Sequence, residues 1–336
     1  MRRPGPPEPT VPDLLDPAGD RGLDEAYAYC AALTAEHGRT YDLAARLLPA
    51  PQRRAVQALY GFARHVDDIV DVTAVHDPRA AIRGVDEAHT RMHAALAGDP
   101  GPADETGLVV RALADTVARY RIPIDHLDAF VHSMRMDVPG TPGFRPVHRD
   151  MAELREYMYG SAAVIGLELL PVLGVDDPDA PPAAVALGEA FQLTNFIRDV
   201  GEDLDRGRIY LPLDLWEPFG VDVELLHRCR RTGEVDARVR RALAHAVALT
   251  RAEYRTAEPG LELLPDRIRP AIRTAFVLYG RILDEVERSG FRVFDRRVRV
   301  PRRTRVAVML GQYAAGTLRG GSRRGASRRD RQKASA

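Results

Sequence analysis

From residue 23 onward, apolar side chains return every three or four positions and hardly anywhere every second one. Leu23, Ala26, Tyr27, Cys30 and Leu33 keep this period. So do Ala55, Leu59, Phe62, Val66 and Ile69, and later Ile124, Leu127, Val131 and Met134. That spacing lines one face of an α-helix and lines no face of a strand. Breaks rich in proline and glycine fall at 49–51, 76–78, 98–102, 139–143 and 181–182, where helices end or begin. Only 291–300 has any strand character, and it is too short and too charged to found a sheet. No repeat of solenoid length is present. The expectation is an all-α, single-domain fold over residues 21–317, with ten or more helices around one core. Residues 1–20, rich in proline, and 318–336, mostly Arg, Ser, Gly and Ala, are expected to be disordered tails. Neither can bury enough surface to offset its ordering entropy.

Composition removes several classes of function. A chain of 336 residues, 45% hydrophobic and 29% charged, has the balance of a soluble globular protein rather than a fibre or a channel. No run of about 18 apolar residues is available to span a bilayer. The first 20 residues have neither signal-peptide nor transit-peptide character. Cys30 and Cys229 are the only cysteines, which excludes a disulfide framework and a cysteine metal site. A reducing, cytoplasmic setting is expected. Acidic and basic residues balance at 48 each. The distribution is uneven, because Arg292 to Lys333 holds 13 Arg, one Lys and two acids, near +12. Lys333 is the only lysine, and an arginine preference of this kind reflects a GC-rich genome rather than phosphate recognition. A nucleic-acid-binding arm is the non-enzyme reading of that end. No aromatic residue interleaves the arginines after Tyr313, so no nucleic-acid partner is expected.

Two polar stripes do not belong to the core pattern. On the helix expected over 51–73, Tyr60, Arg64, Asp67 or Asp68, and Asp71 step by 4, 3 and 4 along one face. Asp67 and Asp71, one turn apart, can approach a single hard cation, and Arg64 can hold a phosphate that the cation also binds. A solvated charged face is the plain alternative. Against it, the acids are embedded among Val66, Ile69, Val70 and Val72, and like charges at this spacing repel by a few tenths of a kcal/mol. In 191–212, Gln192, Asn195, Asp199 and Asp203 share a second face, backed by Leu193, Phe196, Val200 and Leu204. Glu202 and Asp205 fall on other faces and read as solvated bystanders. Two facing aspartate pairs in a helix-walled cavity would hold several magnesium ions and a diphosphate. His65 and His76 flank the first stripe, but His65 is one residue off its face and reads as packing or surface. His126, His132 and His148 have no partner at metal-ligand spacing.

These stripes, with Tyr157-Met-Tyr-Gly-Ser-Ala-Ala-Val-Ile-Gly166 between them, resemble the squalene/phytoene synthase family from about His37 to Pro301. Asn195 to Pro212 is similar to the family's second aspartate motif almost without change. Residues 157–166 and Phe276 to Glu285 resemble the actinomycete phytoene synthase branch. The resemblance implies an isoprenoid-synthase-like helical bundle around a central cavity. It implies magnesium, or manganese in its place, on Asp67, Asp71, Asp199 and Asp203, with Asp68 supporting. Tyr60, Arg64, Gln192, Asn195, Arg198 and Arg208 would hold diphosphate or order the site. Tyr157 would lie close to the reacting carbons, and Tyr41 and Tyr279 would line the substrate channel.

The implied activity is head-to-head condensation of two geranylgeranyl diphosphates to phytoene through a cyclopropyl diphosphate, without NADPH. A farnesyl-diphosphate-using squalene, dehydrosqualene or presqualene diphosphate synthase is the alternative. A terpene cyclase or head-to-tail prenyl transferase fits poorly with the Gln192/Asn195/Asp199/Asp203 face followed by Arg208-Ile-Tyr-Leu-Pro212. The departure from the family is Ser161-Ala162-Ala163, where many relatives carry Val-Ala-Gly; it bears on the shape of the mid-cavity. The expected partners are prenyl diphosphates, with the protein a monomer. The basic stretch 319–333 is expected to touch an anionic membrane peripherally, because a hydrocarbon product cannot leave into water.

Overall fold

The computed structural model describes residues 21–74, 76–99 and 101–312, with Arg39 and Thr40 described by backbone alone. Both expected tails and the basic stretch 319–333 lie outside the described residues. Among those described there are thirteen α-helices and no strand, only an isolated bridge between Val147 and Ile209. The first six helices are α1 (Arg21–His37), α2 (Arg39–Ala45), α3 (Ala50–Asp68), α4 (Pro78–Leu96), α5 (Glu105–Tyr120) and α6 (Ile124–Arg135). The middle of the chain forms α7 (Met151–Met158), α8 (Val164–Leu173) and the long α9 (Ala180–Asp205). It closes with α10 (Leu213–Trp216), α11 (Val223–Thr232), α12 (Ala237–Ala257) and α13 (Arg269–Arg288). A helical stretch at 302–312 follows. Residues 291–300, the one segment with strand character, run as a loop across α9.

Aspartates start several of these helices. Asp77, Asp104, Asp150, Asp222 and Asp236 each accept a first-turn backbone N–H, at 3.0, 2.8, 2.9, 2.8 and 2.8 Å. Each bond satisfies a donor that no helical carbonyl can reach. At α7 Glu153 also reaches back past the cap and accepts the Arg149 N–H at 2.7 Å. Pro181-Pro182, which reads as a break, lies inside the first turn of α9, where a missing N–H costs nothing.

Two large apolar cores and a small one around Leu261 and Ile268 result, where a single core was expected. One joins α1, α3, α4, α5 and α6 through residues such as Phe62, Met92, Leu113 and Leu127. The other joins α7, α9, α10, α11, α12 and α13 through Met158, Ile197, Trp216, Leu226, Leu243 and Leu283. Between them α8 and α9 cross at very short range. A Cβ on Gly188 would sit 2.4 Å from the Ala162 carbonyl oxygen, and one on Gly166 would sit 2.4 Å from that of Ala184. Only glycine permits that approach, at both points of the crossing.

Two helices do not end where periodicity alone would end them. α3 passes without a break into a π-helical turn, Ile69–Thr73, and α7 into another, Tyr159–Ala163. The helix expected over 51–73 is therefore α-helical only to Asp68. The wider turn changes which side chains share a face from there on.

One buried group stands apart from the site. Glu168 on α8 is 1% exposed, between Val164 and Val172 of the first core, and its Oε1 makes no hydrogen bond. Burial alone pushes its carboxyl from 4.5 up to about 8. The folded protein thus carries a proton there that the unfolded chain has lost. The associated stability is fully present below pH 4.5 and disappears as pH rises through 8. Wild type should lose up to about 1.4 kcal/mol per pH unit relative to Glu168→Gln across this window. Urea unfolding of both proteins from pH 5 to 9 measures the difference, and parallel curves would contradict it.

Candidate active site

Two adjoining cavities lie between the cores. One, of about 730 Å³, is polar; the other, of about 300 Å³, is almost wholly apolar. Tyr41, Tyr60 and Gln192 line both and so form their junction. The apolar cavity runs between α3, α8 and α9, past Leu59, Ala63, Phe130, Ile165, Leu169 and Phe191. At the junction Tyr41 packs on Tyr60 and Tyr279 with ring centres 5.9 and 5.2 Å away, and Phe191 stacks on Tyr279 at 4.2 Å.

The polar cavity gathers every candidate residue named from the sequence. Tyr41, Tyr60, Arg64, Asp67, Asp68, Asp71, Tyr157, Gln192, Asn195, Arg198, Asp199, Asp203, Arg208 and Tyr279 all line it. α3 and its π turn supply the first stripe and α9 the second. Val72, which reads as part of an apolar surround, is 63% exposed and lines the cavity too. Glu202 also faces this cavity, 3.5 Å from Arg297, rather than standing apart in solvent. Asp205 points outward and pairs with Arg230.

Arginines neutralise these acids. Arg64 donates to Asp67 Oδ2 at 3.2 Å and grips both oxygens of Asp68. Arg208 and Arg206 reach Asp71 at 3.1 and 3.3 Å. Asp199 takes a bidentate grip from Arg198 at 2.7 and 2.5 Å, and a further bond from Arg297 at 3.0 Å. Asp203 is buried, and enclosure together with Asp199 holds its carboxyl well above the usual range. Enclosure in the cavity, then Asp71, pushes Asp67 up to about 7.

Behind this layer lies a group that the sequence stripes do not reveal. Asp137, just after α6, is buried and accepts the Tyr157 hydroxyl at 2.6 Å and the Tyr210 hydroxyl at 2.8 Å. Burial raises its pKa, opposed by Arg208 and the two phenols. Arg208 also donates to the Asp137 carbonyl at 3.1 Å, tying this group to Asp71. His148, 2% exposed, packs its ring against Tyr157 and Tyr210. Asp137 sits in Met134-Arg-Met-Asp-Val138, and an acid flanked by apolar residues was its only signal. Arg206 and Arg297 carried no signal within an arginine-rich chain. His65 bonds Thr106 at 2.9 Å, away from the acids.

The donor set suits a hard divalent cation. Four carboxylates from two helices converge on one cavity, and the buried Asn195 Oδ1 has no hydrogen-bond partner. The arginines and the apolar annex suit an anionic head on a hydrocarbon tail.

Comparison with known proteins agrees with this geometry. The model of the squalene/phytoene synthase family matches residues 34–304. A phytoene synthase of Arthrospira platensis is 34% identical over 292 residues, covering 82% of this chain and 89% of that protein. A 15-cis-phytoene synthase of Synechocystis sp. is 35% identical over 295 residues, covering 83% and 82%. Among solved structures, a dehydrosqualene synthase in complex with a ligand matches with a TM-score of 0.76 at 25% identity, over 87% of this chain and 97% of that one.

The Asp137 network makes a stability prediction. Asp137→Ala removes the acceptor of two buried phenols and should lower stability by about 2–4 kcal/mol, whereas Tyr210→Phe removes one bond to Asp137 and a longer one from Arg208 and should cost about 1 kcal/mol. Urea denaturation of the two variants checks the order. Equal losses would mean that Asp137 does not hold both tyrosines.

Proposed function

We propose that this chain, which belongs to the squalene/phytoene synthase family, joins two molecules of geranylgeranyl diphosphate head to head into phytoene, in carotenoid biosynthesis. The observation that carries this reading is the junction of the two cavities. A polar chamber with two acidic stripes and several arginines opens through Tyr41, Tyr60 and Gln192 onto an apolar chamber. That is the shape of a prenyl diphosphate, charged at one end and hydrocarbon beyond. The relatives named phytoene synthase support the twenty-carbon substrate. Residues 157–166 and 276–285 support a place in the actinomycete branch.

The residues divide the work as follows. Asp67, Asp71, Asp199 and Asp203, with Asp68 and Asn195 in support, would hold magnesium. Bound there, magnesium supplies the pull on the departing diphosphate that makes an allylic carbon–oxygen bond break. Arg64, Arg198, Arg206, Arg208 and Arg297 neutralise the same leaving group. The apolar walls exclude water, which would otherwise quench the allylic cation. The double bond of the second substrate attacks that cation, and loss of a proton from the attacked carbon closes the ring of a cyclopropyl diphosphate. A second ionisation, rearrangement and proton loss give the hydrocarbon, with no hydride donor consumed. Tyr157 is kept un-ionised, its pKa raised by burial and by Asp137, and its hydroxyl is pinned at 2.6 Å. It therefore presents a fixed, uncharged aromatic wall beside the cationic carbons.

The test is product analysis. Purified protein with magnesium and geranylgeranyl diphosphate should yield phytoene with or without NADPH. A clear preference for farnesyl diphosphate would replace this reading with that of a squalene or dehydrosqualene synthase. Asp67→Asn and Asp199→Asn should each lower turnover by about 100-fold or more, with the helical circular dichroism unchanged. Wild-type turnover in either variant would remove the metal assignment.

A further inference from the structure

On the outer face of the molecule, away from both cavities, two helices bring three ligand atoms together. His89 and His93 lie one turn apart on α4, and Asp128 lies on α6. Asp128 Oδ1 is 2.7 Å from His89 Nε2 and 2.8 Å from His93 Nε2, and the two Nε2 atoms are 3.3 Å apart. None of the three lines the polar or the apolar cavity.

We propose that His89, His93 and Asp128 bind a borderline transition-metal cation of the Zn²⁺ class, with water in the remaining position. Tetrahedral zinc with about 2.0 Å bonds to nitrogen requires ligand atoms about 3.3 Å apart. The two imidazoles already stand at that separation, and the carboxylate has only to withdraw by about half an ångström. The ligand set of two neutral nitrogens and one carboxylate oxygen favours Zn²⁺ over Mg²⁺. The site is therefore chemically distinct from the all-oxygen stripes of the polar cavity. His93 and Asp128 are 45% and 39% exposed at their side chains, so water and a metal reach them directly.

One neighbour works against binding, and it sharpens the test. Arg135 Nη2 lies 3.2 Å from His89 Nδ1. A guanidinium only donates, so His89 Nδ1 accepts and the ring proton sits on Nε2, pointing at Asp128. A metal on Nε2 needs that proton moved to Nδ1, where it would face Arg135. Arg135 must then turn away onto Asp86, whose Oδ1 it already holds at 2.9 and 2.7 Å. Removing Arg135 should accordingly strengthen metal binding, an effect that a merely structural cluster would not show.

The measurement is titration of the full chain with Zn²⁺, and with Co²⁺ as a visible probe, in several millimolar Mg²⁺ to fill hard oxygen sites. Titration of Asp67→Asn/Asp199→Asn in parallel accounts for zinc taken up by the polar cavity. Wild type and that double variant should both bind one Co²⁺ with the intense visible bands of a tetrahedral ion. Zn²⁺ should raise the melting temperature of both. His93→Ala and Asp128→Asn should each weaken binding by about 10-fold or more, and Arg135→Ala should tighten it several-fold. Binding in His93→Ala equal to wild type, or weaker binding in Arg135→Ala, would overturn the proposal. Loss of binding only in the double variant would likewise overturn it, by placing the zinc in the polar cavity.

Discussion

The structure is governed by the need to keep eight carboxylates around one cavity. Two like charges about 6 Å apart cost about 3 kcal/mol at an effective dielectric of about 20, and enclosure raises that cost. The chain responds in two ways. Arginines neutralise Asp68, Asp71 and Asp199 directly, with Arg64 shared between Asp67 and Asp68. Where neutralisation is weaker, the carboxyl resists ionising, as at Asp67, Asp203 and Asp137. Much of the irregular backbone follows from this need. The turn after α9 delivers Arg206 and Arg208 to Asp71, and it is pinned by backbone bonds from Ile209 to Pro146 and from His148 to Ile209. The loop 291–300 delivers Arg297 to Asp199. It lies so close to α9 that a Cβ on Gly201 would meet the Val293 and Phe294 carbonyls at 2.8 and 2.9 Å.

α9 shows how one helix serves both chambers. Its first half is small-residued, with Ala186, Gly188 and Ala190 against α8 and its π turn, which lets two apolar walls stand close. Its second half carries Gln192, Asn195, Asp199 and Asp203 on the cavity side and Leu193, Phe196, Ile197 and Val200 against the second core. Gln192 falls at the change of character and lines both cavities. Head-group chemistry and tail packing are thus held in fixed register by a single rigid element, and a shift of α9 would disturb both together.

The all-α class and both stripes were legible because each is a matter of period, and period survives in a bare sequence. The nine stripe residues share one cavity for that reason, and Tyr41, Tyr157, Arg198, Arg208 and Tyr279, which the family resemblance implied, line it with them. What was not legible depends on contacts distant in the chain. Asp137 belongs to no stripe and meets Tyr157 and Tyr210 only through folding, 20 and 73 residues away. Arg297 is one arginine among many until the loop lays it on Asp199, 98 residues back. The π turns escaped because Ile69–Thr73 and Tyr159–Ala163 are compatible with α-helical period at this length. In the fold Ile69–Thr73 lies against α4, and Tyr159–Ala163 against α6 and α9. His89 and His93 stand at helical spacing in the sequence, but only the pairing of α4 with α6 brings Asp128 to them.

The departure at Ser161-Ala162-Ala163 can now be weighed by position. Ala163 is fully buried and does not line the apolar cavity, so its methyl group takes up packing space and none of the chamber. The close crossing beside it is secured instead by Gly188, opposite the Ala162 carbonyl. A glycine at 163 is therefore not what keeps α8 and α9 close in this chain. Ser161 does line the cavity, and a serine there fills less volume than a valine. Of the two changes, the one that reaches the chamber enlarges it. The remaining walls include Leu48, Leu173, Leu261 and Leu264, which also form a separate small core with Ile268. That core is held in place by packing outside the cavity. Its leucines limit the tail independently of the π turn, and room gained at Ser161 is not lost by collapse of the opposite wall.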